Sequence, residues 1–242
     1  MEQNKTSKYF KYAIGEIILV MIGILLALQV NNWNETRKNR ILELTYLENI
    51  KADLNLNTNE LQEFIASREM CIKASDSILE FFEGKKPINV DDFNRYAINV
   101  MVWFPFQQHD NTYQELVNSG KLSLISNKAI KDHLQNMQTS FKKVAFVENE
   151  MQQDYERYLY EPFFNKADLN TSFKNYNAQI DKSVTIKSLD KEEVNNLLQD
   201  QLFKNGFVLA TYNSEILITE YSNIMKTTND LISSINEELN ND

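Results

Sequence analysis

The feature that most constrains this chain is a run of apolar residues close to its N-terminus. Residues 12–30 read YAIGEIILVMIGILLALQV, and no polar side chain occurs between Ile17 and Leu28. An α-helix rises about 1.5 Å per residue, so about 20 mainly apolar residues cross a hydrocarbon layer roughly 30 Å thick. Lysines and tyrosines precede the run and Trp33 follows it, and such residues favour the lipid headgroup zone. The run therefore predicts a transmembrane helix.

The transmembrane helix divides the chain into parts. Residues 1–11 form a basic N-terminal tail, residues 31–40 a juxtamembrane segment, and residues 41–242 an extramembrane domain. A cleaved signal peptide is the competing interpretation, but the residues that follow Ala27 lack the pair of small residues that cleavage requires. We therefore expect an uncleaved signal-anchor.

Charges on the two sides of the predicted span bear on its orientation. Both the tail and the juxtamembrane segment are basic, so the difference in positive charge between the two sides is small. The short basic tail favours a cytoplasmic N-terminus. We expect a single-pass protein of a bacterial inner membrane with its C-terminal domain in the periplasm.

Two features of the span go beyond a plain anchor. Gly15, Gly23 and Ala27 lie at multiples of four residues and share one helix face, where small side chains allow a second helix to approach closely. They predict a helix-packing face, although such residues are common in spans generally. Glu16 is an ionisable group inside the span, which is costly and often functional. It lies at headgroup depth, belongs to an ion or proton path, or contacts another helix; the sequence leaves these interpretations open.

The composition indicates a helical domain that does not bind nucleic acid. Five Gly and three Pro are few for a fold built on tight turns, which argues against an all-β protein. The net charge of −9 is unfavourable for nucleic acid, because contacts to phosphates need clustered Lys and Arg. We predict an all-α fold in which the transmembrane helix leads into an antiparallel bundle of long helices with a small inserted subdomain.

A long amphipathic helix is predicted at residues 41–82, where no Gly or Pro occurs. Leu47, Leu54 and Leu61 share one heptad position, and the helix is expected to continue directly from the span and to end at Gly84. Polar residues interrupt the apolar seam, so it suits a helical bundle better than a coiled coil. These residues are Asn57, Arg68 and Ser75.

Further amphipathic segments predict the remaining helices, and the second long helix is expected to cover the first. Residues 165–188 are polar and predict a loop with a short strand at Val184 to Ile186. The aromatic corner at 103–106 is either an exposed binding surface or, more commonly, a buried plug. The predicted elements are a helix at 92–103 capped by Asp91 and Asp92, a helix capped by Asp110 and ended by Gly120, a long helix from Ser126 or Asn127 to Pro162, a helix capped by Asp190, and a last helix at 207–239 with Gly206 as a break or bend.

The sequence contains no motif of a catalytic or metal site. His109 and His133 are the only histidines, and Cys71 is the only cysteine, so no Cys/His spacing of a zinc site occurs. A nucleophile elbow, a phosphate-binding loop and an HExxH motif are all absent from the sequence. We expect no catalytic residue, no metal and no cofactor, and we expect Cys71 to be a small core residue.

Two stretches resemble an uncharacterised family of bacterial single-span membrane proteins. They are KYFKYAIGEIILVMIGILLALQVNNWNE at residues 8–35 and TYQELVNSGKLSLISN at residues 112–127. The resemblance covers most of the chain and implies the anchor and the domain. It implies no activity and no catalytic residues.

These observations favour a membrane-anchored helical interaction, sensory or scaffold module without catalysis. Its expected partners are the lipid bilayer and a second copy of the chain or another membrane protein. The alternative is a subunit of an ion-conducting or proton-driven membrane assembly that uses Glu16.

Overall fold

A computed structural model describes the backbone of residues 3–180 and 188–240 and the side chains of residues 13–178 and 188–240. Within these ranges the chain is helical and contains no strand, so the predicted all-α fold is confirmed. The predicted strand at Val184 to Ile186 lies outside the described residues. The elements are α1 Gln3–Phe82, α2 Val90–Met101, α3 Asn111–Asn118, a 3-10 turn Lys121–Leu124, α4 Lys128–Tyr155, a π-helical turn Glu156–Tyr160, α5 Glu161–Lys166, α6 Leu169–Ile180, α7 Lys191–Leu198 and α8 Gln201–Asn240.

Helix α1 is a single uninterrupted helix of 80 residues. All side chains from residue 13 to residue 33 are exposed, and from Glu43 onward one face of the same helix is buried. Gly84 ends it with φ 65°, a conformation that glycine adopts without strain. The backbone N–H of Lys85 then bonds to the carbonyl of Glu80 at 2.9 Å. The prediction that the amphipathic helix continues from the apolar run is therefore confirmed.

The long helices form a bundle in which α8 runs antiparallel to both α1 and α4. Near the first bundle residues of α1, Asn127 at the start of α4 bonds to Glu238 at the end of α8. At the distal end, Phe82 of α1 lies 6.3 Å from Phe203 at the start of α8. Helix α8 packs along both α1 and α4. As expected, α4 also contacts α1 through side chains, since the Cys71 sulfur lies 3.4 Å from the Tyr155 hydroxyl and an Arg68 nitrogen lies 3.3 Å from the Met151 sulfur.

An extended segment, residues 102–110, fills the groove between α1 and α4, and we call it the strap. It runs from Trp103, whose ring lies 6.1 Å from that of Tyr155, to His109, which bonds to Asn57. It therefore descends the bundle antiparallel to α1 and α4 and takes the place of a fourth long helix.

Shorter helices α2, α5, α6 and α7 pack around the distal end. The cap of α2 was predicted wrongly: the side chain of Asn89 accepts hydrogen bonds from the N–H groups of Asp91 and Asp92, which occupy the first turn. The predicted loop at 165–188 is wrong for α6. Helix α6 packs against α2 partly through buried amide groups, and Asn94 Nδ2 of α2 donates to the Asn175 side chain at 3.0 Å. Because these contacts are polar, the sequence of α6 shows no recognisable apolar stripe.

The predicted end of the second long helix at Pro162 is wrong, because the chain stays helical through the π turn and α5. Proline cannot donate to the carbonyl of Tyr158, four residues earlier, and here the helix widens into the π turn before continuing as α5. Helix α8 is continuous through Gly206, where a break or bend was expected. A Cβ atom on Gly206 would lie 2.8 Å from the Tyr158 carbonyl oxygen and 2.5 Å from Cδ2 of Leu159. Glycine is needed because α8 contacts the π turn here.

Candidate functional site

The residues predicted for the span lie on the exposed part of α1. Gly15, Glu16, Gly23 and Ala27 are all exposed, and a Cβ atom on either glycine would meet no atom within 4 Å. Glu16 has no hydrogen bond or ion pair to any side chain that the structure describes. In a single chain this face therefore contacts no other part of the bundle.

Among the described residues, no group of three His, Cys, Asp or Glu side chains has metal-binding geometry. His109 lies in the strap, with its Nε2 2.8 Å from Glu60 Oε1. His133 lies on α4 and is partly buried. Cys71 is buried and lies 3.4 Å from the Tyr155 hydroxyl, so it occupies the core position expected for it.

The base of the bundle, where α1 leaves the apolar run, is held by a network of charges. Arg40 donates to Glu43 at 2.8 Å and to Glu238 at 2.9 Å, which joins α1 to the end of α8. Glu43 is buried, and its other oxygen accepts from both the backbone N–H and the hydroxyl of Ser126. Asn127 completes the network by donating to Glu238 at 2.8 Å. We call this set of five residues the base clasp.

The base clasp joins α1, α4 and α8 at one level of the molecule. Glu43 lies ten residues beyond Trp33, a distance of about 15 Å along a helix. Burial would strongly disfavour the Glu43 carboxylate if it were not paired. Its bonds to Ser126 fix the start of α4 to α1, and Arg40 extends the network to Glu238 of α8. A displacement of α1 at this level therefore changes bonds to both other long helices.

Higher in the bundle, polar side chains of α1 hold the strap. The buried Asn57 bonds to the backbone of His109 in both directions, with its Nδ2 2.8 Å from the carbonyl and its Oδ1 2.8 Å from the N–H. Asp53 accepts from the N–H of Thr112 at 3.0 Å and caps α3 from outside the helix. The predicted cap Asp110 makes no capping bond. The reason is that the strap brings the N-terminus of α3 against α1.

In the aromatic corner at residues 103–106, one phenylalanine is buried and another is exposed. Phe106 is buried, stacks on Phe141 of α4 at 5.7 Å and packs edge-on against Phe64 of α1 at 5.5 Å. Phe104, two residues earlier, is 74% exposed. The burial hypothesis is therefore confirmed for Phe106 and wrong for Phe104.

A buried carboxylate fixes the strap to α4 and α8. Glu148 Oε1 accepts from the backbone N–H of Phe106 at 3.0 Å and from the hydroxyl of Tyr221 at 2.5 Å. Burial raises the pKa of Glu148 above its ordinary value of 4.5, while these two hydrogen bonds and the nearby Arg68 act in the opposite direction. Burial, together with the Glu148 carboxylate, raises the pKa of Tyr221.

The neighbouring cation, Arg68, is buried in the seam of α1. One guanidinium nitrogen lies 3.3 Å from the sulfur of Met151, and the group lies 5.8 Å from the ring centre of Trp103. Its buried Nε has no hydrogen-bond partner among the described residues. A buried cation with such weak partners depends on the electrostatic effect of Glu148, so the two residues form one layer across the bundle.

Sequence reasoning identified some of these residues but missed others. In the sequence, Asn57 and Arg68 are recognisable only as polar interruptions of an apolar seam. The structure places both in contacts that hold the strap. Glu43 and Glu148 were missed. A signal was present for Glu148, which lies four residues after Val144 on the apolar stripe of α4. A lone acid on a core stripe indicates a buried partner.

The family model described as "Family of unknown function (DUF6090)" matches residues 16–171. This region includes most of the apolar run, the strap and α4, and it ends within α6. No curated protein matches the chain. No solved structure matches it either.

Proposed function

The chain belongs to DUF6090, a family of unknown function, and we propose that it is a membrane-anchored helical interaction or sensory module without catalytic activity. One observation carries the proposal: α1 joins an exposed apolar run, long enough to cross a membrane, to the core of the bundle without a break. A lone helix with an apolar surface of this length is stable in lipid and unfavourable in water.

The continuity of α1 supports a role in transmission. A helix that is unbroken between the bilayer and the bundle moves as one body over short distances, and the base clasp joins it to α4 and α8. A change in the bundle is therefore passed to the span, or a partner bound to the bundle is held at a constant height. In this proposal the signal passes to another membrane protein or to a second copy of the chain.

We further propose that the protein lies in a bacterial inner membrane with the bundle in the periplasm. The test uses the Cys71→Ser variant with one new cysteine at the exposed Lys121, and a second chain with the cysteine at Asn4 in the tail. A maleimide that does not cross the inner membrane should label Lys121→Cys and spare Asn4→Cys in cells whose outer membrane is permeable. The reversed pattern would overturn the orientation, and recovery of the chain in the soluble fraction would overturn the anchor.

Self-association through Gly15, Gly23 and Ala27 is part of the proposal. Replacing Gly23 with Leu should convert a detergent-extracted dimer or larger oligomer to a monomer, because the bulky side chain keeps helix backbones apart. Met21→Leu is the matched control, since it adds no bulk to the small face. A wild-type monomer by light scattering would exclude this part of the proposal.

The alternative function, a subunit of an ion-conducting or proton-driven assembly, is supported by Glu16. The side chain is exposed on the apolar part of α1, where a carboxylate is costly unless it has a partner or a path of water. Ion flux in liposomes containing the wild type or Glu16→Gln tests this function. Flux that is abolished by the substitution favours the alternative, and equal background flux in both excludes it for the isolated chain.

A further inference from the structure

A cavity of about 290 Å³ lies between the strap, the start of α3 and the middle of α4, and we call it the strap cavity. Its floor is apolar and includes the stacked rings of Phe106 and Phe141. Its walls carry several amides and one charge of each sign. An apolar floor with a few converging polar groups is the general form of a site for a small molecule. The polar residues are Gln108, Asp110, Gln114, Gln138 and Lys142.

Gln108 in the strap presents a hydrogen-bond donor that the described protein does not use. Its Nε2 is buried and has no hydrogen-bond partner among the described residues. A buried donor without an acceptor is unfavourable, and the strap keeps Gln108 in place because the N–H groups of Phe106 and His109, on either side of it, bond to Glu148 and Asn57. A turn of the Gln108 amide toward the cavity would bring this donor within reach of a bound acceptor such as a carboxylate oxygen.

Asp110 provides the negative charge in the strap cavity. It precedes α3 but does not cap it, because Asp53 of α1 accepts from the N–H of Thr112 instead. Asp110 accepts one hydrogen bond, from Gln114 Nε2 at 2.6 Å. Its carboxylate is thus available to a positively charged group in the cavity.

Lys142 provides the positive charge. It is exposed at the edge of the cavity, and no ion pair joins it to a residue that the structure describes. The neighbouring Lys143 points away and pairs with Glu220 of α8 at 2.7 Å. The two lysines therefore differ in their contacts although they are adjacent in sequence.

We propose that the strap cavity binds a small zwitterion of the α-amino-acid class. The carboxylate of the ligand accepts from Gln108 and Lys142, and its ammonium group pairs with Asp110. The volume is at the lower end for small-molecule pockets, which favours a single amino acid over a peptide. The bound molecule contacts the strap, and α1 holds the strap through Asn57. The use of this site in sensing rests on the proposed function, whereas binding itself does not.

The experiment measures thermal unfolding of the full chain in detergent with each standard L-α-amino acid added singly. At about a hundredfold excess over Kd, one or a few of them should raise the midpoint by about 5–10 °C. For each amino acid that binds, the carboxylic acid without the amine and the amine without the carboxylate should each give a much smaller shift.

Two pairs of variants test the site. Lys142→Gln should weaken binding at least tenfold, measured by titration calorimetry, while Lys143→Gln should leave it unchanged. Gln108→Leu should abolish binding and yet unfold no earlier than wild type, because the lost Nε2 makes no bond in the protein. Asp110→Asn should remove the preference for the amine-bearing ligand over its carboxylic acid.

The inference is overturned if no amino acid raises the midpoint of the wild type, or if the lysine variants bind alike. Equal binding of the carboxylic acid and the amino acid would overturn the zwitterion assignment. Detergent-extracted protein is used, so the binding result does not depend on membrane orientation. Failure of the site and failure of the anchor are therefore separate outcomes.

Discussion

The two halves of α1 have opposite environments although they form one helix. Residues 13–33 expose every side chain and contain no polar group between Ile17 and Leu28, whereas the half from Glu43 to Phe82 buries a seam that includes Asn57 and Arg68. The apolar half makes no contact with the bundle, and the half that forms the bundle contains buried amide and charged groups.

The difference shows where the specificity of the fold resides. In the proposed bilayer environment any uniformly apolar helix of sufficient length is accepted, so insertion of the first half requires no particular partner. The second half has to fit the strap, α4 and α8 in one arrangement. The hydrogen bonds of Asn57 in α1 and those accepted by Glu148 in α4 impose that arrangement, because buried polar groups require their partners. Perturbing each half separately should therefore affect either membrane attachment or the structure of the bundle, but not both.

The largest effect is expected from charges in the apolar half. Leu19→Arg combined with Ile22→Arg should cost about 5–7 kcal/mol of insertion free energy, from about 2.5–3.5 kcal/mol per arginine near the centre of a span. The chain should become extractable by alkaline carbonate while the thermal midpoint of the bundle stays unchanged. Val208→Arg combined with Tyr212→Arg on the exposed face of α8 is the control. If the span variant remained integrated, the environment inferred for this half would be wrong.

In the bundle packed against the second half of α1, Glu148→Ala should lower the free energy of unfolding by about 3–5 kcal/mol. It removes the acceptor of the Phe106 N–H and the Tyr221 hydroxyl and leaves Arg68 without a nearby anion. Urea unfolding of the full chain in detergent measures the loss. Glu150→Ala, an exposed acid on the same helix, should change stability by less than about 0.5 kcal/mol. Equal effects of the two substitutions would contradict the importance of the buried layer.

Glycine-to-alanine substitutions sharpen the comparison. Gly206→Ala should destabilise the bundle by about 1–3 kcal/mol, since the added Cβ overlaps the Tyr158 carbonyl and the Leu159 side chain. Gly23→Ala in the apolar half meets no atom within 4 Å and should leave the unfolding of the bundle unchanged. The same urea titration serves both variants, and a fully stable Gly206→Ala chain would show that α8 and the π turn are less closely packed.

The smallest effect is a pH dependence. The pKa of Glu148 is raised in the folded chain above 4.5, so the folded state holds this proton more tightly than the unfolded state. Stability from this group is fully present below about pH 4.5 and is lost as pH rises through the folded pKa. Glu148→Gln cannot titrate, so the free energy of unfolding of the wild type should fall relative to this variant between pH 4 and pH 8. A constant difference over this range would contradict the raised pKa.

Prediction from the sequence succeeded where neighbouring residues determine the structure. The caps Asn127 and Asp190, the end of α1 at Gly84 and the stripes of the long helices are local features. Prediction failed at Asp110, whose expected cap is replaced by Asp53, 57 residues earlier in the chain. It also failed at α6, because the groups that satisfy its polar face come from α2.

The sequence alone determines that the apolar run and the long amphipathic helices exist, because hydrophobic spacing and chain-local caps set helix formation. Only the tertiary structure decides that the strap takes the place of a fourth helix and that Asn57 and Glu148 are the residues that fix it to its neighbours. The cavity beside Gln108 is likewise a product of the fold. The physical reason is that a buried charge or amide is stabilised by partners distant in sequence, and no local pattern specifies which partners those are.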